Sequence, residues 1–240
     1  LAPITYGEKI GSFGLTEHSA GSDAAGQHTV ATKDGDSYVI NGSKCFITNG
    51  PLSDYFCVYA LTDHELGPKS IATFVVERNT PGFTIGARHN TMGIRSAMVS
   101  ELHFTDVRVP VANMITPPGK GFVAAMKTLD GGRIGIASQA LGIAQGAYEN
   151  ALEYARERIQ FGKPVGFQQA ISFKLADMAT KLRCARMLVY SAAELKEHHE
   201  SYAMEAAMAK MYASDIALEV TNDAMQIYGG AGFMKGMDVE

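Results

Sequence analysis

From Gln27 to Phe104 the apolar positions fall in short alternating or β-branched runs, broken by Gly, Pro, Asn and Asp. Residues 27–33 (QHTVATK), 37–40 (SYVI) and 43–48 (SKCFIT) read as three strands joined at Asp34-Gly35 and Asn41-Gly42. Those dipeptides favour tight hairpin turns because Gly takes a positive φ without steric cost. Further strands are predicted at 55–61, 71–77 and 98–104. No helix-period segment separates them, so a parallel β-α-β order is disfavoured and an antiparallel barrel or sandwich is expected.

The period changes after Pro117-Pro118-Gly119. Ile134, Ala137, Leu141, Ala144, Tyr148, Ala151 and Ala155 recur at spacings of three and four, which is one face of a helix. The stretch RIQFGKPVGF breaks it at Gly162 and Pro164. A second helix is predicted from Gln169 to Lys196, with Ile171, Leu175, Met178, Leu182, Ala185 and Leu188 facing inward. A third runs from Ala203 to Ile227, with Ser201 as its N-cap and Gly229-Gly230 as its stop. Three long apolar-faced helices suggest an incomplete four-helix bundle. The expected class is therefore α+β, with a β domain over 1–116 and a helical domain over 117–240.

Composition narrows the functional classes. With 46% hydrophobic and 19% charged residues the chain is neither disordered nor fibrous, and its 240 residues can bury a core without staples. No apolar run approaches the length of a membrane span. A net charge of −4 gives no basic footprint for nucleic acid. Cys45, Cys57 and Cys184 are odd in number and lack a CxxC pair, which fits a reducing cytosol better than disulfides or zinc. Residue 1 is Leu, no export signal follows it, and GMDVE closes no element, so the chain reads as a piece of a longer protein.

Several motifs have both a structural and a chemical reading. Leu15-Thr16-Glu17 running into Ala20-Gly21-Ser22-Asp23 is a polar turn, or a row of backbone N–H groups for a ligand. Phe46 and Thr48, two apart on a strand, share a face and could be a stacking wall with a hydrogen-bond donor. Asp130 and Arg133 lie on one helix face, as a surface pair or as ligand contacts. Arg158, with Phe161-Gly162 and Gln169, sits in the break between helices, where an Arg can clamp a pyrophosphate. Gln226-Ile227-Tyr228-Gly229-Gly230 is a helix C-cap or a close approach to a large cofactor. Its glycines do not follow a strand, so they are no Rossmann fingerprint. The histidines show no metal-ligand spacing.

The order of these segments carries more than any one of them. LTEHSAGSD, INGSKCFITNG, FTDVRVPVANMI, LDGGRIGIASQALGIA, RIQFGKPVGFQQAISF and QIYGGAGF, in that order, resemble the acyl-CoA dehydrogenase family over essentially the whole chain, and its short-chain, butyryl-CoA members most. The resemblance implies a middle antiparallel β-barrel domain and a truncated helical bundle, without the family's N-terminal helical domain. It implies FAD held between the two domains with part of the dinucleotide touching a neighbouring subunit, and a homotetramer. It also implies α,β-dehydrogenation of a short-chain acyl-CoA, electron-transfer flavoprotein as acceptor, and a cytoplasmic enzyme. Enoyl-CoA reduction is the alternative within the class, and a non-catalytic assembly component the alternative outside it.

Residue by residue, Phe13, Leu15, Thr16 and Ser22 match the first flavin-binding segment, with Thr16 on the flavin ring and Ser22 near a phosphate and the CoA moiety. Phe46, Ile47 and Thr48 match the second, with Thr48 near the flavin's reactive edge; Phe46 stands where Trp is common, and His18 where Pro is usual. Arg158, Phe161, Gln169, Gln226, Gly229 and Gly230 match contacts to the adenosine diphosphate portion, and Asp130 and Arg133 match contacts to acyl-CoA. Of two positions that can hold the catalytic base, one is Gly132, which has no side chain, and the other lies beyond Glu240. No catalytic residue is therefore assigned, and no metal.

Overall fold

The structure, a computed structural model, describes residues 2–239. After a short helix α1 (Ala2–Thr5), strands β1 (Gly11–Gly14), β2 (Val30–Asp34), β3 (Ser37–Thr48), β4 (Tyr55–Leu61), β5 (Ile71–Glu77), β6 (Phe83–His89), β7 (Val99–Pro110) and β8 (Met114–Thr116) form one sheet. Helices α2 (Gly121–Glu157), α3 (Gln169–Glu197) and α4 (Ala203–Tyr228) follow, with a small hairpin of β9 (Ile159–Gln160) and β10 (Lys163–Pro164) between α2 and α3. By its internal contacts the chain divides into two compact units, 1–126 and 127–240. The division falls inside α2 because Ala125 is buried with Leu15, Tyr59, Leu61 and Ile71, and Phe122 and Met126 pack on them.

In the first unit the strands are ordered β6-β7-β3-β2-β4-β5-β8. The expected antiparallel barrel is not what forms. The sheet is mixed and open: β1 runs parallel to β4 over Gly11–Gly14 against Tyr55–Val58, and β2 meets the same strand at the single pair Val30 and Leu61. It curls around an aromatic core, where Phe83 of β6 packs on Phe56 of β4 with ring centroids 4.7 Å apart. The strand order gives that curled sheet no hydrogen-bonded closure. Between β1 and β2 the chain leaves the sheet, and residues 15–29 form the turn that carries the first motif.

Asp34-Gly35 begins a tight hairpin as expected, with Asp34 opposite Ser37 and Gly35 at φ +58°. Asn41-Gly42 does not. β3 passes straight through it with an irregularity against β7, because Gly42 (φ +142°) lies on Thr29, where a Cβ would come within 2.6 Å of the hydroxyl. β6 was not anticipated, since FTIGARH alternates poorly around Gly86.

In the second unit the predicted stripes of α2 and α3 do form the core, joined by Ala206, Ala209, Ala213, Ile216, Val220, Ala224 and Ile227 of α4. Lys174 pairs with Asp223 and Lys181 with Glu219 between α3 and α4, and Arg186 of α3 donates to Gln145 of α2 at 2.8 Å. α2 starts thirteen residues before its apolar stripe and runs through Gly131-Gly132. Ser201 does not cap α4; Tyr202 occupies that position, with no side-chain cap bond.

Candidate functional site

The turn after β1 is built around a buried ammonium. Lys44, on β3, is 1% exposed. It donates to the Leu15 carbonyl (3.0 Å), the Glu17 carboxylate (2.8 Å) and the Gln27 side-chain oxygen (2.9 Å), which uses all three of its protons. Glu17 in turn accepts from the backbone N–H groups of His28 (2.6 Å) and Thr29 (3.0 Å). Burial pushes the Lys44 ammonium down to about 8, against the pull of Glu17. Burial also opposes the Glu17 charge, yet Lys44 and the hydrogen bonds from Thr29 and His28 hold that carboxyl below its ordinary value. The sequence reading overlooked this cluster; the available signal was a Lys between the alternating positions of a predicted strand, with a Glu in the preceding turn.

Thr16 sits inside that network. Its carbonyl accepts from the Cys45 N–H at 2.8 Å, so a backbone or side-chain group of each of residues 15, 16 and 17 is tied to β3. The Thr16 N–H and hydroxyl are left without a hydrogen-bond partner among the described residues, and the side chain is half-buried. Ser22 lies exposed farther round the same turn. Leu15 is buried in an apolar cluster and Phe13 packs edge-on against Tyr59 (5.1 Å), so both side chains face the core.

At the end of β3 burial alternates: Phe46 and Thr48 are exposed and Ile47 is buried. The Thr48 carbonyl is fixed by the buried Ser12 hydroxyl at 2.8 Å, while its own hydroxyl has no partner among the described residues. Phe46 takes φ +57°, a left-handed backbone that costs a bulky residue about 1–2 kcal/mol, and is 63% exposed. Its ring lies 6.2 Å from His18 and 5.9 Å from His89. Those two imidazoles and His103 all approach the Glu101 carboxylate, at 3.1, 4.0 and 3.4 Å. Spacing along the chain gave no hint of this gathering: the pairing of β6 with β7 brings His89 and His103 to Glu101, and the turn after β1 adds His18. No metal-holding group of His, Cys, Asp and Glu is present among the described residues.

The second unit divides its predicted residues between two ends. At one, Asp130 pairs with Arg133 on α2, beside a cleft of about 850 Å³ that Lys127, Lys196 and Tyr202 also line. Gly132, next to Arg133, faces open space. At the other end, Tyr154 of α2 stacks on Tyr228 of α4 at 4.2 Å and so fixes the last turn of α4 beside the last turn of α2. Arg158, Phe161 and Gln169 gather there with Gln226, Gly229 and Gly230, and all six are exposed. Phe161 (φ +52°) and Gly162 (φ +75°) form the two-residue turn of the β9–β10 hairpin. The 24 helical steps from Arg133 to Glu157, the neighbour of Arg158, put the two ends about 36 Å apart at 1.5 Å per residue.

Comparison with known proteins gives a consistent result. The acyl-CoA dehydrogenase middle domain matches residues 12–107, and the acyl-CoA dehydrogenase C-terminal domain matches 119–240. The chain is 52% identical over 234 residues to the short-chain specific acyl-CoA dehydrogenase of Megasphaera elsdenii, covering 97% of this chain and 61% of that protein. The structure of butyryl-CoA dehydrogenase from the same organism superposes with a TM-score of 0.95 at 52% identity, over 98% of this chain and 61% of that one. A caffeyl-CoA reductase–Etf complex subunit (CarC) of Acetobacterium woodii is 47% identical over the whole chain, covering 63% of its own length. The chain thus spans a little over three-fifths of these relatives.

Proposed function

The chain belongs to the acyl-CoA dehydrogenase family, and on that premise we propose that the protein is a cytoplasmic FAD-dependent oxidoreductase. It removes the α-proton and β-hydride of a short-chain acyl-CoA to give a trans-2-enoyl-CoA. The observation that carries this reading is the free N–H and hydroxyl of Thr16, on a segment whose neighbouring polar groups are held by Lys44 and Cys45. Fixed, unpartnered donors at a strand exit fit the heteroatom edge of a flat ring. FAD, when bound, supplies the two-electron acceptor for the hydride.

The chain's own residues do the rest. Thr16 donates to the ring, Phe46 offers an aromatic wall, and Thr48, exposed like Phe46, offers its hydroxyl. Phe13, Leu15 and Ile47 contribute through their backbone, since their side chains serve the core. Ser22, Asp130 and Arg133 hold the acyl-CoA. Arg158, Phe161, Gln169, Gln226, Gly229 and Gly230 form the clamp for the adenosine diphosphate portion, with the guanidinium as the charge that meets pyrophosphate. Because α2 keeps these six far from Asp130 and Arg133, we assign them to a site on another copy, within the proposed homotetramer. Gly132 supplies no base, and the alternative position past Glu240 lies outside the described residues, so the described residues bind and orient rather than move the α-proton.

Electron-transfer flavoprotein is the proposed acceptor, supported by the Etf complex named for the Acetobacterium relative. That same relative, a reductase, favours the reverse reaction as the second reading. Anaerobic titration of the complete, FAD-loaded gene product separates the possibilities. Butyryl-CoA and hexanoyl-CoA should bleach the flavin's visible band fastest. Fastest bleaching by dodecanoyl-CoA or longer thioesters would overturn the short-chain assignment. No bleaching by any saturated thioester, with reoxidation of the reduced flavin by an enoyl-CoA, would favour the reductase.

A further inference from the structure

We propose that Lys44 is a positioning residue: its buried ammonium, bonded on either side of Thr16, fixes the direction in which the Thr16 N–H and hydroxyl are offered to the flavin ring. The proposal rests on the flavin reading above and assigns a role to a side chain that does not face the ligand.

The geometry is specific. The Leu15 carbonyl and the Glu17 carboxylate both accept from Nζ, so the ammonium bridges the residues before and after Thr16. The third proton goes to Gln27, which anchors the far side of the turn. The Thr16 carbonyl is bonded to the next residue of β3, Cys45. A polypeptide segment held at three successive residues has little freedom left at the middle one. An apolar side chain of similar length would fill the same space, leave the Leu15 carbonyl without the ammonium and leave Glu17 only its two backbone donors. A fully satisfied buried ammonium is also costly to maintain, and burial already pushes it down to about 8. A core residue chosen for stability alone would be apolar.

Deprotonation gives a way to loosen the anchor without mutation. The titratable groups acting on Lys44 are Glu17 from the turn and Cys45 on β3 itself, with His28 3.9 Å from the Glu17 carboxylate and Glu101 of β7 acting on Cys45. The expected result in the complete gene product is a change in the Thr16 amide resonance with a midpoint near pH 8, present in the flavin-free wild type and absent in Lys44→Met. In the FAD-loaded protein Lys44→Met should weaken flavin binding about tenfold and shift its visible band, and Thr16→Val should do the same. The double variant should be no weaker than either single one, because both remove one interaction. Additive losses would overturn the proposal, as would a Thr16 resonance that titrates identically in wild type and Lys44→Met. Should Lys44→Met fail to fold, Glu17→Gln keeps an acceptor for Nζ while removing the charge. It should move the Thr16 midpoint downward, and an unmoved midpoint counts against the role. A wild type that binds no FAD sinks the flavin reading, whereas the amide titration of the flavin-free protein still decides the positioning.

Discussion

Glu17 shows how one side chain can do structural work that the sequence conceals. Its folded carboxyl is held below the ordinary value of 4.5, against the cost of burial, by Lys44 and the bonds from Thr29 and His28. A depressed carboxylate contributes stability above its unfolded pKa and loses it as pH falls through the folded value. Wild type should therefore exceed Glu17→Gln in urea midpoint at pH 6, with the gap narrowing steadily below pH 4. A gap that widens on acidification would show that the carboxylate is not the stabilised form. In the sequence Glu17 was only part of a polar turn and Lys44 only a strand position. What joins them is the long-range contact of the turn after β1 with β3, through the Cys45 N–H and Lys44, which no local pattern encodes. By contrast the exposed pair Phe46 and Thr48 was legible, because alternation of burial resumes over the last four residues of β3, despite its irregularities.

Among the elements, the β9–β10 hairpin makes the clearest demand. Phe161 is 93% exposed and holds a left-handed backbone, so it gives the core nothing and costs about 1 kcal/mol or more. Strain retained at an exposed aromatic points to a ligand rather than to folding. Phe161→Gly should leave the denaturant midpoint unchanged or raised while FAD retention on gel filtration falls. Arg158→Ala should reduce retention similarly, with stability within about 0.5 kcal/mol of wild type, as for other exposed loop charges. A lowered midpoint with intact flavin content would assign Phe161 to the fold. The helices themselves were readable because their apolar stripes are long. The start of α2 was not, since its first turns are held by the β unit and its glycines weaken the helical signal. A closed barrel is not borne out for a related reason: alternation predicts strands but not whether the last one finds the first, and here the strand order ends at β6 and β8, which do not pair.

Across the whole molecule, the length of α2 decides how the site can be shared. On the proposed assignment, Asp130 and Arg133 at one end and the Arg158 cluster at the other, about 36 Å away, would serve different catalytic centres. Genetics offers a way to see this that no single variant does. Two defective alleles, one carrying Arg133→Ala and one carrying Arg158→Ala, each spoil every centre when expressed alone. Co-expressed subunits that mix at random should rebuild about a quarter of the centres with both arginines intact, each drawn from a different parent chain. Recovery of activity in such hybrids would make the two defects complementing alleles of one gene. Hybrids as inactive as their parents would mean that each chain furnishes its own pair.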